Sequence, residues 1–183
     1  EPTAASPRYT GPVEIGKSAR FRATALREGG ENASYSREFA FSKSTGRPAV
    51  LNTKPNDSYT FEGASLLVDG YHSRPVFTSG AWLGYLDEPL DVTIDMGGEQ
   101  SYRSVELETL AEKGDWIFPP SSVTVWVSDN GTDFTEVASV AVPEAKAGDA
   151  DGIGRYRMQF PETSARYLKV VAQNAAAIPA WHP

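Results

Sequence analysis

The segment at 121–137, SSVTVWVSDNGTDFTEV, strongly limits the folds that this chain can adopt. Val123, Val125 and Val127 alternate with other residues, which is the period-two pattern of a strand with one buried face. The residues at 129–131, Asp-Asn-Gly, tolerate the positive φ angles that a short hairpin connection requires. The segment therefore predicts a β-hairpin that buries one face.

The same alternation recurs along the chain, and no stretch carries a sustained helical period. Some seven short strands separated by turn residues indicate an all-β protein, a β-sandwich of the jelly-roll type. Gly97-Gly98 is expected to end its strand, and REGGENAS (27–34) is expected to be a turn. The other predicted strands are SARFRATAL (18–26), SYSREFAF (34–41), LDVTIDMGG (90–98), SYRSVELETL (101–110), RYRMQF (155–160) and RYLKVVAQN (166–174), with Ala49-Val50-Leu51 as a further candidate.

Charge and composition exclude several partners. With a net charge of −7, a pI near 4.9 and no arginine-rich stripe, the chain lacks the basic face that nucleic-acid binding needs. No apolar run approaches the roughly 20 residues of a membrane helix, so membrane insertion is not expected. Cysteine is absent, which removes disulfides and cysteine-ligated metals. The first twelve residues show no secretion signal.

The chain divides into two predicted units. The two strands before residue 44 have one apolar face that they cannot bury alone, so we assign residues 1–44 to the end of a β domain that begins before Glu1. Residues 42–58 have the Ser, Gly, Pro and Asn content of a boundary region. We assign residues 45–183 to the β-sandwich.

The loop before the central strand, WIFPP (116–120), is the strongest candidate for a binding surface. Its two prolines exclude regular helix or mid-sheet strand, and rigid loops with aromatic rings often carry binding sites. Sugar binding needs a flat aromatic face and a few planar polar side chains. Trp116 and Phe118 provide the rings, although the same rings could instead plug the sandwich or pack on another domain. The possible neighbours in the site are Tyr85, His72 and Arg74.

Several segments resemble the discoidin-like domains, also called coagulation factor 5/8 type C domains, which overlap with the family-32 carbohydrate-binding modules. The matching segments, in order, are LLVDG, AWLGY, LDVTIDMGG, VTVWVSDNGTDF and ARYLKVVAQN. The segments WIFPPSSVTVWVSDNG and IPAWHP further resemble the C-terminal region of bacterial family-20 β-hexosaminidases, or chitobiases. In those enzymes a fibronectin-III-like domain precedes this one, and residues 1–44 resemble its second half. Trp181 and His182 lie in the second matching segment, and we leave their role open between binding and packing.

The resemblance implies a non-catalytic accessory domain of a secreted bacterial glycosidase. Its catalytic machinery would lie in a separate (β/α)8 barrel of roughly 250 residues, so we expect no enzymatic activity, no catalytic residues and no cofactor in this chain. The expected partners are a glycan and the neighbouring domains, the expected state is a monomer, and the expected location is extracytoplasmic. The family also implies a structural calcium ion on Asp69, although Arg74-Pro75 departs from the family pattern and Asp69 also suits a turn cap. We expect the last strand to lie beyond Pro183.

Three alternatives stay open. The domain could be a structural brace in which Trp116 and Phe118 pack on a neighbouring domain. It could bind protein or lipid, which would call for exposed apolar side chains on adjacent loops. Free-standing hydrolysis is disfavoured because the acidic pairs Asp87-Glu88, Glu106 with Glu108, and Asp149 with Asp151 suit solvated surface positions.

Overall fold

The computed structural model describes residues 2–27, 29 and 33–183. Seven β-strands make up its regular structure, joined by loops with short 3-10 turns, which confirms the all-β prediction. Most of the predicted turn at 27–34 lies outside the described residues. No helix in the described ranges is long and apolar enough to cross a membrane. The strands are β1 (Ala19–Ala25), β2 (Ala33–Phe39), β3 (Ala49–Leu51), β4 (Leu90–Ala111), β5 (Ser122–Ser128), β6 (Thr135–Ala141) and β7 (Gly152–Gln173).

Strands β3 to β7 form one antiparallel sheet in the order β3-β4-β7-β5-β6. Strands β4 and β7 each run for 22 residues, and their pairing shifts register between Asp95 and Gln100 and again between Tyr102 and Ser104. Such bulges bend a strand and increase its twist. The prediction that Gly97-Gly98 ends a strand was wrong, because Gly97 adopts a φ of 78° that lets the chain bulge and continue.

The core lies between the two halves of the bent β4 and β7 strands. Buried side chains from both halves of β4, both halves of β7 and strand β5 belong to one cluster. Val92, Met96, Val123 and Val125 are each at most 2% exposed, and Met158 is 3% exposed. Burying each such side chain contributes about 1.5–3 kcal/mol. The sandwich prediction is therefore confirmed, as is the inward face of Val123, Val125 and Val127.

Strands β1 and β2 form a separate two-stranded sheet, and the end of β2 contacts the sandwich at Gly70 and Tyr71. The amide of Ala40 donates to the carbonyl of Gly70 (2.7 Å), and the rings of Phe39 and Tyr71 lie with centroids 4.9 Å apart. Arg37 stacks 3.7 Å from the centroid of the same Tyr71 ring. An apolar groove of about 270 Å³ runs along this hairpin. The assignment of residues 1–44 to a separate domain stays a prediction.

Candidate functional site

A tight turn at the end of β4 presents Trp116 to solvent. Two backbone hydrogen bonds join Glu112 and Ile117, from N to O in each direction (2.9 and 3.1 Å), and the amide of Trp116 donates to the carbonyl of Lys113 (3.1 Å). Trp116 has a φ of 61°, a left-handed conformation that costs a non-glycine residue about 1–2 kcal/mol. The surrounding bonds hold this strain, and the Trp116 side chain is 56% exposed.

Lys113 anchors the turn to the loop that precedes β7. It is only 6% exposed, and its ammonium donates to the carbonyl of Asp149 (2.8 Å) and to the carboxylate of Asp151. The backbone amide of Lys113 donates to the same Asp151 oxygen (3.1 Å). The Lys113 hydrogen bonds lower the pKa of the Asp151 carboxyl. Buried charges are tolerated when they are paired in this way.

Four rings gather beside this turn: Trp116, Phe118, Trp181 and His182, which we call the aromatic cluster. The His182 ring is central, with its centroid 4.3 Å from that of Trp116, 5.2 Å from that of Phe118 and 5.7 Å from that of Trp181. Phe118 and Trp181 lie edge to face with centroids 6.3 Å apart. Edge-to-face pairs at such distances are favourable beyond the area that they bury.

Hydrogen bonds hold the chain end against the cluster. The Nε2 atom of His182 lies 2.7 Å from the carbonyl oxygen of Lys113, and because a carbonyl only accepts, Nε2 carries a hydrogen. The indole nitrogen of Trp181 donates to the carbonyl of Ala145 (3.1 Å). The structure thus joins Trp181 and His182, whose role the sequence left open, to the predicted pair Trp116 and Phe118.

An apolar groove of about 190 Å³ adjoins the aromatic cluster at Phe118. Three chain segments line it, at 118–121, 142–145 and 175–179, and most of their residues are proline or alanine. Glu144 is the only charged residue in this lining. The cluster and the groove therefore form one continuous surface at the end of the sandwich where β5 begins.

The other predicted sugar contacts, Tyr85, His72 and Arg74, have separate surroundings. Tyr85 packs against the core, and burial raises the pKa of its hydroxyl. The Nδ1 atom of His72 lies 2.6 Å from a Glu108 oxygen. The carbonyl of Arg74 accepts from the indole of Trp82 (2.8 Å). Their membership of the Trp116 site stays a prediction.

Asp69, the predicted calcium ligand, caps a turn. One of its carboxylate oxygens accepts from the amide of Tyr71 (2.8 Å), and burial raises the pKa of the Asp69 carboxyl. Within the part of the chain that the structure describes, no three carboxylate or imidazole groups converge in a way that could hold a metal ion. Calcium at Asp69 would have to take most of its oxygen ligands from carbonyl groups, and this role stays a prediction.

Comparison with solved structures finds carbohydrate-binding modules at low sequence identity. Chitosan-binding module 1 of a chitosanase/glucanase from Paenibacillus sp. IK-5 is 17% identical, with a TM-score of 0.48 over 74% of this chain and 88% of that chain. Module 2 of the same enzyme, in complex with chitotriose, is 16% identical, with a TM-score of 0.49 over 75% and 91%.

A Clostridium perfringens module, CpGH89CBM32-5, in complex with GalNAc-β-1,3-galactose, is 17% identical, with a TM-score of 0.47 over 71% of this chain and 86% of that chain. No curated protein matches the chain. The F5/8 type C domain family, by contrast, matches residues 51–182, which is most of the chain and includes strands β4 to β7 of the sandwich. The chain therefore belongs to the F5/8 type C domain family.

Proposed function

We propose that this chain is a non-catalytic carbohydrate-binding module and that the aromatic cluster is its binding surface. The observation that carries the proposal is the exposure of the Trp116 side chain, which is 56% exposed. The backbone of Trp116 adopts a strained left-handed conformation at the same position. A large aromatic side chain held in solvent by a strained turn exposes apolar area without gaining core packing. Strain of this kind is often found at ligand sites.

The chemistry of the surface suits a sugar. The face of an indole ring packs against the C–H patch of a pyranose, and neighbouring polar groups can then bind its hydroxyls. His182 supports Trp116 from the side, which fixes the ring before a ligand arrives and reduces the entropy lost on binding. The groove at Phe118 offers room for further sugar units.

The parent protein in this proposal is a bacterial family-20 β-N-acetylhexosaminidase or chitobiase, and the ligand is an N-acetylglucosamine-containing or related glycan. The support is the resemblance of WIFPP and IPAWHP, since both segments contribute to the aromatic cluster. The module acts outside the cytoplasm as a monomer and holds the enzyme near its substrate. Residues 1–44 in this proposal complete a fibronectin-III-like neighbour.

The proposal is tested by titrating the protein with chitotriose, other chitooligosaccharides and GalNAc-β-1,3-galactose. Binding is followed by NMR, from the shifts of the tryptophan indole N–H and backbone amide signals. We expect Trp116→Ala to weaken binding by about 2- to 10-fold, the value of one aromatic contact. Tyr9→Ala is the matched control, because Tyr9 is 77% exposed and lies in the groove along the β1–β2 hairpin. The absence of any spectral response at millimolar sugar would refute the carbohydrate-binding function.

The second candidate function is an interdomain brace. It is favoured by the hairpin groove, in which Tyr9, Val13 and Tyr35 are exposed apolar residues. In this case Tyr9→Ala would lower the melting temperature of the protein joined to its neighbouring domain, and Trp116→Ala would leave glycan binding unchanged. Melting curves of Tyr9→Ala and glycan titrations of Trp116→Ala separate the two functions.

A further inference from the structure

We propose that the aromatic cluster selects amino sugars with a free, protonated amine over their N-acetylated counterparts. The inference rests on the proposed carbohydrate-binding function and names the chemistry of its preferred ligand. It is carried by two independent properties of the surface around Trp116, the sign of its charge and the open face of its ring.

The side chains of the turn that holds Trp116 and of the loop tied to it carry mostly negative charge. The ionisable residues of the turn and of this loop are Glu112, Lys113, Asp115, Glu144, Lys146, Asp149 and Asp151. Their formal charges are five negative and two positive, which leaves −3. A surface of this sign attracts cations and repels anions.

One of the two positive charges is not available to a ligand. The Lys113 ammonium is inside the protein, where it already donates to the carboxylate of Asp151 and the carbonyl of Asp149. Lys146 is exposed, and so are four carboxylates of the turn and the loop: Asp115, Glu144, Asp149 and Asp151. The exposed side chains of the turn and the loop therefore carry net negative charge.

The face of Trp116 also favours a cation. Indole is the strongest of the aromatic side chains in cation–π interactions. Among the described residues, the cations that lie over rings do so at other positions, over Tyr71, Tyr102, Phe134 and Tyr167. The Trp116 ring is thus available to an ammonium group on a sugar that stacks against it.

The competing effect is the acetyl methyl group of an N-acetylated sugar. Its burial in the apolar groove beside Phe118 would favour the acetylated ligand by about fourfold. A cation–π contact alone favours the amine by about 2- to 30-fold, and the surrounding carboxylates add to it. The electrostatic contribution is screened by salt, so the preference for the amine is expected to be largest at low ionic strength.

The test compares a glucosamine tetramer with an N-acetylglucosamine tetramer at about pH 5.5, where carboxylates are ionised and the sugar amine is protonated. We expect the glucosamine tetramer to bind about 2- to 30-fold more tightly at low salt, with the preference shrinking as salt is added. Asp115→Asn should weaken the glucosamine tetramer more than the acetylated one. Glu14→Gln makes the same charge change outside the cluster and should leave the ratio of the two affinities unchanged.

The outcomes separate this inference from the function on which it rests. Equal binding of the two tetramers, or tighter binding of the acetylated one at low salt, overturns the amine preference and leaves the carbohydrate-binding function standing. The amine preference is also overturned if Glu14→Gln reduces it as much as Asp115→Asn does, because the net charge of the protein alone would then be responsible. Binding of neither tetramer overturns the amine preference, and the carbohydrate-binding function is refuted with it if GalNAc-β-1,3-galactose also gives no response at millimolar concentration.

Discussion

The Nε2 atom of His182 donates a hydrogen bond to the carbonyl oxygen of Lys113, 2.7 Å away. These residues are separated by 69 positions in the chain, and the bond ties the C-terminal segment to the turn that presents Trp116. The same carbonyl accepts from the amide of Trp116 (3.1 Å). One oxygen atom therefore holds both the strained residue and the ring that supports it.

Replacing His182 should loosen the Trp116 ring. We expect His182→Ala to weaken glycan binding by several-fold, since it removes both the ring contact and the hydrogen bond, and Trp116 must then be ordered by the ligand. His182→Gln keeps a side-chain donor and loses the ring, so its effect should lie between those of the wild type and the alanine variant. Amide exchange at Trp116 together with glycan titration measures both consequences.

A His182→Ala variant that binds glycans as tightly as the wild type, with Trp116 exchange unchanged, would contradict the supporting role. Ile178→Ala serves as the control for changes near the chain end, because Ile178 is 54% exposed and does not itself line the groove. Its effect on Trp116 exchange should be small.

Local patterns in the sequence were sufficient to predict most strands and the resemblance to F5/8 type C domains. Val123 and Val125 are fully buried as the alternation predicts, because a strand with a period of two has only one way to face a core. The WIFPP loop was likewise predicted as an aromatic loop, and Trp116 is exposed on it.

The bends of the long strands could not be predicted from alternation. In a regular strand, residues an odd number of positions apart point to opposite faces. Tyr102 and Val105 are three positions apart, yet Tyr102 is buried and Val105 packs against the same core. The reason is that the pairing of β4 with β7 shifts register between these two residues. The hydroxyl of Tyr102 donates to the carbonyl of Ala165 (2.9 Å), a contact made across the bent ladder. A bulge depends on the partner strand, which the local sequence does not identify.

The composition of the site was only partly predictable for the same reason. Trp116 and Phe118 are close in sequence, whereas His182 reaches them from the chain end. The sequence pointed to His182 only through the segment IPAWHP, which resembles the hexosaminidase C-terminal region. That resemblance by itself could not indicate a contact between His182 and the Trp116 loop. His72 likewise pairs with Glu108, 36 positions away, and no spacing rule connects the two.

Replacing Gly97 by alanine should destabilise the protein more than replacing its neighbour Gly98, at the bend of β4. The Gly97 φ of 78° is unfavourable for other residues, and an added Cβ would lie 3.0 Å from the Arg47 guanidinium. We expect Gly97→Ala to lower the free energy of unfolding by about 1–2 kcal/mol. Gly98 has open space at its Cβ position, so Gly98→Ala should change stability by less than about 0.5 kcal/mol.

Urea unfolding of the two glycine variants measures this difference. Equal stability of Gly97→Ala and Gly98→Ala would mean that the bulge at Gly97 does not require a left-handed residue. A larger loss in Gly98→Ala would place the strained position of the bend one residue further along β4.

The Asp95 carboxyl should stay ionised in acid because of Arg166. The Arg166 guanidinium donates to both Asp95 oxygens (3.0 and 2.8 Å), and the amide of Gly97 donates to one of them (2.8 Å). The Arg166 hydrogen bonds, followed by that of Gly97, lower the pKa of Asp95 from 3.8 to about 2. Since the folded pKa is depressed, the stabilisation is complete above the unfolded pKa and is lost as the pH falls toward 2.

Carboxyl titration of Asp95 by NMR checks this expectation. In Arg166→Gln the pKa of Asp95 should rise toward its ordinary value, and the fall in stability between about pH 4 and pH 2 should become shallower, because less of the native-state preference for the ionised form remains to be lost. Arg103→Gln is the control, since Arg103 pairs with Glu162 whereas Asp95 pairs with Arg166. A pKa of Asp95 that stays near 2 in Arg166→Gln would assign the shift to the Gly97 amide instead.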